Sequence, residues 1–303
     1  MNASGDQVVL QSGRLRLTVV TMGGGLRELM CDDWAVLDGY GPDEVPLGAY
    51  GQPLIPWPNR LADGRYEFRG LQYQVALTEP EQHNALHGFA RWMTWTVEKV
   101  NASSALLSLL LYPREGYPFA LRVEVEYSLE SSGVRVITSA RNVGHSPLPY
   151  ANGFHPYVNA GTPSIDRCVL KIPARTWLPT NERQIPICRL PVEGTAYDFR
   201  SPRPVGSARL DTAYTDLARD RDQFARVTLQ APDHSRQVAI RLDETYSHVM
   251  AFTGDTLTDR PRRRRALGVE PMTAAPNAFQ TGEGLRVLNP NERCISEWGI
   301  EVL

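Results

Sequence analysis

The chain has 303 residues, 42% of them hydrophobic, and a formal net charge of -2 with a pI near 6.3. That apolar content supports a sizeable core and excludes a disordered composition. The near balance of charge argues against a nucleic-acid or membrane-surface protein, both of which need a basic excess.

No apolar run approaches the length that spans a bilayer. The first residues, MNASGDQVVLQSG, lack the basic and apolar regions of a secretory signal. Cys31, Cys168, Cys188 and Cys294 are scattered with no CxxC spacing, so neither a zinc site nor a dense disulfide framework is expected. Free thiols in a reducing cytoplasm are the plain expectation.

Strand signals run the length of the chain. QVVLQS and RLRLTVV open it, followed by GRYEFRG, LQYQVAL, WTVEKV and ALLSLLLY. The clearest is FALRVEVEYSLE. Phe119, Leu121, Val123, Val125, Tyr127 and Leu129 fall on one face, and Arg122, Glu124, Glu126 and Glu130 on the other. This period of two marks a strand with one buried and one wet face. The turn residues Ser131–Gly133 then predict a hairpin with GVRVITSARN. CVLKIP, ARVTLQA, QVAIRLD, SHVMAFT and ISEWGIEVL continue the pattern, and no amphipathic helix of three turns is evident. Many antiparallel strands with long loops predict an all-β chain built as one large antiparallel β-sandwich over residues 1–303. The absence of blade-length self-similarity favours a sandwich over a propeller.

Four punctuated segments carry polar residues suited to chemistry. PWPNRLADGRYEF supplies Arg60, whose planar fork can grip two vicinal hydroxyls; its structural alternative is a loop arginine paired with Asp63. HNALHGFARW supplies His87 beside Gly88, where backbone can approach a ligand closely, and the segment reads equally as a structural turn. NGFHPYVN supplies His155, flanked by Asn152, Gly153 and Pro156, which mark a shaped loop. GVEPMTAAPNAF supplies Glu270 after ALGV, which reads as a buried strand. In isolation Glu270 reads as a surface carboxylate paired with the Arg262–Arg265 run, itself read as a solvated charged loop. A carboxylate and an imidazole on opposite sides of one small molecule make the best acid/base pair this chain offers. Of the nearby aromatics, Trp57 or Phe154 is the candidate for packing against a sugar face.

Taken in order, PWPNRLADGRYEFRG, LHGFARWMTW, NGFHPYVN, LDTAYTDL and GVEPMTAAPNAF resemble the signature segments of aldose 1-epimerases (mutarotases). The resemblance covers the chain from Gly51 to about Gly284 and implies a galactose mutarotase-like sandwich that interconverts the α and β anomers of an aldose without metal or nucleotide cofactor. It implies that Glu270 is the catalytic base and His155 the catalytic acid, with Arg60, His87 and Asp211 contacting the sugar; Asp216 competes with Asp211 for its place. The expected partner is a monosaccharide, and the chain is expected as a monomer or homodimer. Two other readings stand beside this one. HGFAR, with Arg91, is similar to hexose-6-phosphate 1-epimerases, where Arg91 and the arginine run hold a phosphate. A non-catalytic sugar binder of the same fold has no need of the Glu270 and His155 pair.

Overall fold

The computed structural model describes residues 2–303. Two large antiparallel sheets form its body, one of nine strands and one of eight, and a four-stranded sheet over Gln7–Ser12, Leu15–Val20, Leu26–Cys31 and Trp34–Ala35 packs beside them. The predicted hairpin is present as Leu121–Glu130 and Gly133–Asn142, with Glu130 facing Gly133 at the turn. The predicted alternation holds: Leu121, Val123, Val125, Tyr127 and Leu129 are buried. The only α-helix among the described residues is the single turn Ala278–Thr281.

The two large sheets pack face to face. Phe154 from the eight-stranded sheet meets Trp298 from the nine-stranded sheet at 5.0 Å between ring centroids. A buried polar link crosses the same layer: Tyr246 donates to the Asn152 side-chain oxygen at 2.8 Å, and Asn152 donates to Ser296 Oγ at 3.2 Å. Such groups are tolerated in a core only when hydrogen-bonded, as these are.

The eight-stranded sheet presents two faces of different character. In Leu267–Met272, Leu267 and Val269 join the main core, whereas Met272 packs with Met250, Ala213, Leu178 and Ala275 in a separate apolar cluster. Because side chains alternate along a strand, Glu270 shares the Met272 face, which points away from the partner sheet. The same parity puts Asp211 with Ala213 on that outer face and Tyr214 in the core.

Candidate active site

The acid/base candidates meet by register. Gly153 pairs with Met272 and Tyr157 with Gly268 on one antiparallel ladder. Counting inward from both ends puts His155 directly opposite Glu270, and directly opposed residues on one face are in contact. Pro156 leaves the ladder a carbonyl, which accepts from Val269 N–H at 3.1 Å, but no N–H. The strand breaks there, and the imidazole tips onto the carboxyl. His155 Nε2 lies 3.2 Å from Glu270 Oε1, with the residues 5% and 2% exposed. The expectation of two groups on opposite sides of a ligand is therefore corrected: they are neighbours on one wall. Tyr157 stacks on the His155 ring at 4.7 Å and Phe252 meets its edge at 6.5 Å, which fixes its plane.

Burial sets the charge of this pair. It pushes the Glu270 carboxyl well above its usual range, and the nearby Asp211 charge pushes the same way. It pulls the His155 imidazole down to about 3. Both directions favour the neutral forms, because a charge removed from water without full compensation is costly. The single proton shared by the pair thus favours the carboxyl. Glu270 Oε2 and His155 Nδ1 are buried with no protein partner.

His87 sits 5.5 Å from His155, ring edge to ring face. It occupies the left-handed region at φ 63°, and Gly88 follows at φ 62°. A Cβ on Gly88 would come within 2.1 Å of the Ile55 carbonyl, so only glycine fits this turn. The Asn59 amide donates to His87 Nδ1 at 3.0 Å, which leaves the ring proton on Nε2 as a donor. Burial holds this imidazole neutral as well. The donor atoms of His87, His155 and Glu270 lie within 4.8 Å of one another, close enough to test against a metal. A metal-bound imidazole donates its proton from the nitrogen opposite the ion. Here that nitrogen accepts, so the trio suits hydrogen bonding to a polar ligand rather than metal ligation.

Arg60 is gripped by Glu79 through two bonds of 2.8 and 3.0 Å, and its Nη1 lies 4.0 Å from Asp211. It therefore pairs with Glu79 rather than with Asp63, which binds Arg183 at 2.8 Å. Asp211 lines the cavity with Arg60, His87, Arg91, His155, Tyr157, Phe252 and Glu270. Asp216 lies at the other end of the same strand, held by Arg189 at 3.0 Å and away from the cavity.

Trp57 is corrected. It does not line the cavity but lies in the core, edge-on to Phe89 at 4.9 Å and tilted on Phe279 at 5.4 Å, with its indole N–H 3.4 Å from the Ala85 carbonyl. Phe154, the alternative, is also core. The apolar walls come instead from Tyr157 and Phe252. The arginine run is not a free solvated loop: Arg262 pairs with Asp38, Glu44 and Asp259, Arg264 with Asp166 and Asp255, and Arg265 with Asp38. The site roles of Glu79, Tyr157 and Asn59 are not evident from the sequence, although Tyr157 stands among the aromatics around the motifs and Asn59 directly precedes Arg60. Only the place of Tyr157 two residues after His155, on the same strand face, signals one of them.

The cavity holds about 220 Å³, below the roughly 300–1,000 Å³ usual for drug-sized ligands. A larger cleft of about 580 Å³ lies around Arg27, Asp38 and Arg236. We place the chemistry in the smaller one, because it contains the buried pair whose pKa values are driven apart.

Solved structures share this fold. The GalM/aldose epimerase homologue from C. elegans superposes with a TM-score of 0.86 over 98% of each chain at 16% identity. An Escherichia coli K12 putative aldose 1-epimerase does so at 0.84, over 98% of this chain and 99% of that one, at 21% identity. In sequence, the uncharacterized protein YihR of Escherichia coli (strain K12) is 32% identical over 289 residues, covering 95% of this chain and 90% of YihR. Homo sapiens galactose mutarotase is 30% identical over 219 residues, 66% of this chain and 62% of that protein. The profile of the aldose 1-epimerase family matches residues 6–300, nearly the whole of a chain whose outer sheet face carries the paired Glu270 and His155: the protein belongs to the aldose 1-epimerase family.

Proposed function

We propose that the chain, acting as one domain over residues 1–303, is an aldose 1-epimerase that interconverts the α and β anomers of a hexose by acid/base-catalysed ring opening and reclosure. The observation that carries this reading is the contact between His155 Nε2 and Glu270 Oε1 in the wall of a small polar cavity. Anomer exchange moves protons at two oxygens bonded to one carbon, so an acid and a base set side by side match it.

In the ring-opening direction the Glu270 carboxylate takes the C1 hydroxyl proton while the His155 imidazolium gives one to the ring oxygen. The C1–O5 bond breaks, C1 becomes an aldehyde, and the C1–C2 bond turns. Reclosure runs the same transfers backwards from the other face. The pair starts as an ion pair and ends neutral. Burial favours the neutral state, so the site lowers the energy of the ring-opened stage. Before ring opening, one proton crossing the 3.2 Å contact converts the neutral resting pair into this ion-pair form, which the Arg60 charge favours on the carboxylate side. His87 Nε2–H supplies a neutral donor, and Asp211 and Arg60 a polar wall for the ring hydroxyls. Each positioned proton transfer is worth roughly 10² to 10⁴ in rate.

Polarimetry of freshly dissolved α-glucose or α-galactose tests this. Protein should accelerate the approach to equilibrium in proportion to its concentration. Sugar binding without acceleration would leave the non-catalytic binder as the better reading.

A further inference from the structure

Glu79 does not line the cavity, yet it occupies one edge of a residue that does. Its carboxylate accepts from Arg60 Nε at 2.8 Å and from Nη2 at 3.0 Å, which is the side-on edge of the fork. Three N–H groups remain on Arg60, two on Nη1 and one on Nη2. Nη1 is the atom that lies 4.0 Å from Asp211 in the cavity wall. The two parallel donors of this end-on edge suit neighbouring hydroxyls of a sugar ring.

The grip is itself supported from behind. Glu79 and Asn84 exchange two backbone hydrogen bonds, of 3.0 and 3.1 Å, across the short turn Pro80–Gln82. The fully buried Asn84 side chain donates to Glu79 Oε2 at 3.0 Å and to the Arg183 carbonyl at 2.9 Å. Arg183 comes from a distant loop and closes the back of the turn through the Gln82 and His83 carbonyls, both at 2.9 Å. Asn84 also faces Ala62 on the ladder that sets Arg60 opposite Leu86, so both ends of the ion pair hang on one frame. Burial alone would raise the Glu79 carboxyl, but the bonds from Arg60 and Asn84 bring it below its usual value, so it stays a carboxylate.

The surroundings of Arg60 show what this grip prevents. A guanidinium freed at Nε would turn its side-on edge onto the next carboxylate, Asp211, and the Glu270 carboxylate attracts the same charge. Either collapse takes donors away from the sugar, and the second places a cation on the base itself. We propose that Glu79 is a positioning residue for the reaction: it holds Arg60 by the side-on edge and off Asp211 and Glu270, so that the end-on edge stays turned to the sugar hydroxyls. The inference rests on the epimerase reading for its reaction and on the Glu79–Arg60 fork for its geometry.

The test is a double-mutant cycle read by exchange NMR between anomers at equilibrium, on whichever of glucose and galactose wild type turns over faster. The proteins are wild type, Glu79→Gln, Glu79→Asp, Arg60→Ala and the Arg60→Ala/Glu79→Gln double variant. Glu79→Gln should lower kcat/KM by about ten- to a hundredfold, the worth of hydrogen bonds to a charged group, with kcat falling and KM rising together. Glu79→Asp keeps the charge at shorter reach and should recover part of the loss. In the Arg60→Ala background, Glu79→Gln should change kcat/KM by less than about threefold, because a residue that acts through Arg60 has nothing left to position. A Glu79→Gln protein within threefold of wild type, or losses that multiply in the double variant, would overturn the assignment and leave Glu79 a structural anchor of its turn. If Glu79→Gln does not fold, Glu79→Asp takes its place in the same cycle. If wild type anomerises neither sugar, the epimerase reading fails by itself; the cycle is then read in sugar affinity by calorimetry, where loss of the Glu79 effect without Arg60 supports the positioning role, and multiplying losses or no sugar binding overturn it.

Discussion

Replacing Glu270 by glutamine removes the proton acceptor, keeps the shape, and separates rate from stability. Glu270→Gln mimics the neutral carboxyl that burial favours, and its amide can still donate to His155 Nε2 across the 3.2 Å contact. It cannot take the C1 proton. We expect kcat to fall by about 10² to 10⁴, roughly 3–5 kcal/mol of barrier, with sugar affinity retained. Stability should move the other way. The Glu270 pKa is raised on folding above its ordinary 4.5, so its contribution is present below 4.5 and is lost as pH rises toward the folded value. The His155 pKa is depressed from 6.5 to about 3, so its contribution is present above 6.5 and is lost as pH falls. Between 4.5 and 6.5 the slopes cancel, because folded and unfolded pairs each hold one proton. Glutamine does not titrate. Relative to wild type, Glu270→Gln should gain about 1.4 kcal/mol per pH unit above 4.5 until the folded carboxyl ionises. Urea denaturation from pH 5 to 8, with polarimetry on the same preparations, reads both quantities. A kcat within threefold of wild type would refute the base, and a stability difference that stays flat with pH would refute the neutral pair.

Arg60→Ala should raise KM and lower kcat together, since Arg60 touches Asp211 and biases Glu270 toward its charged form; an effect on KM alone would confine it to binding. The same change strands Glu79 half-buried without its fork, so thermal melting should also fall. Gly88→Ala should destabilise the fold by roughly 1–3 kcal/mol and cut activity, because its φ of 62° and the Ile55 carbonyl leave no room for a methyl; wild-type melting would contradict that strain. EDTA should leave anomerisation unchanged, since the His87 proton sits on the nitrogen a metal would need. Loss of activity restored by a divalent ion would reverse the tautomer assignment.

The sequence by itself determined the class of fold and picked out most of the candidate site residues. Period-two patterning is a local property, so Leu121–Glu130 and its hairpin partner could be read directly from their residues. Pro and Gly punctuation likewise marked the segments around Arg60, His87, His155 and Glu270. Tertiary structure decided what faces what. Trp57 and Tyr157 are both large aromatics beside site residues, and only packing separates the one in the core from the one in the cavity wall. Arg262–Arg265 looks solvated in one dimension because Asp38, Glu44 and Asp166, which bind it beside the local Asp255 and Asp259, come from distant segments. The contact of His155 with Glu270 rests on strand register, a long-range property that no short window contains.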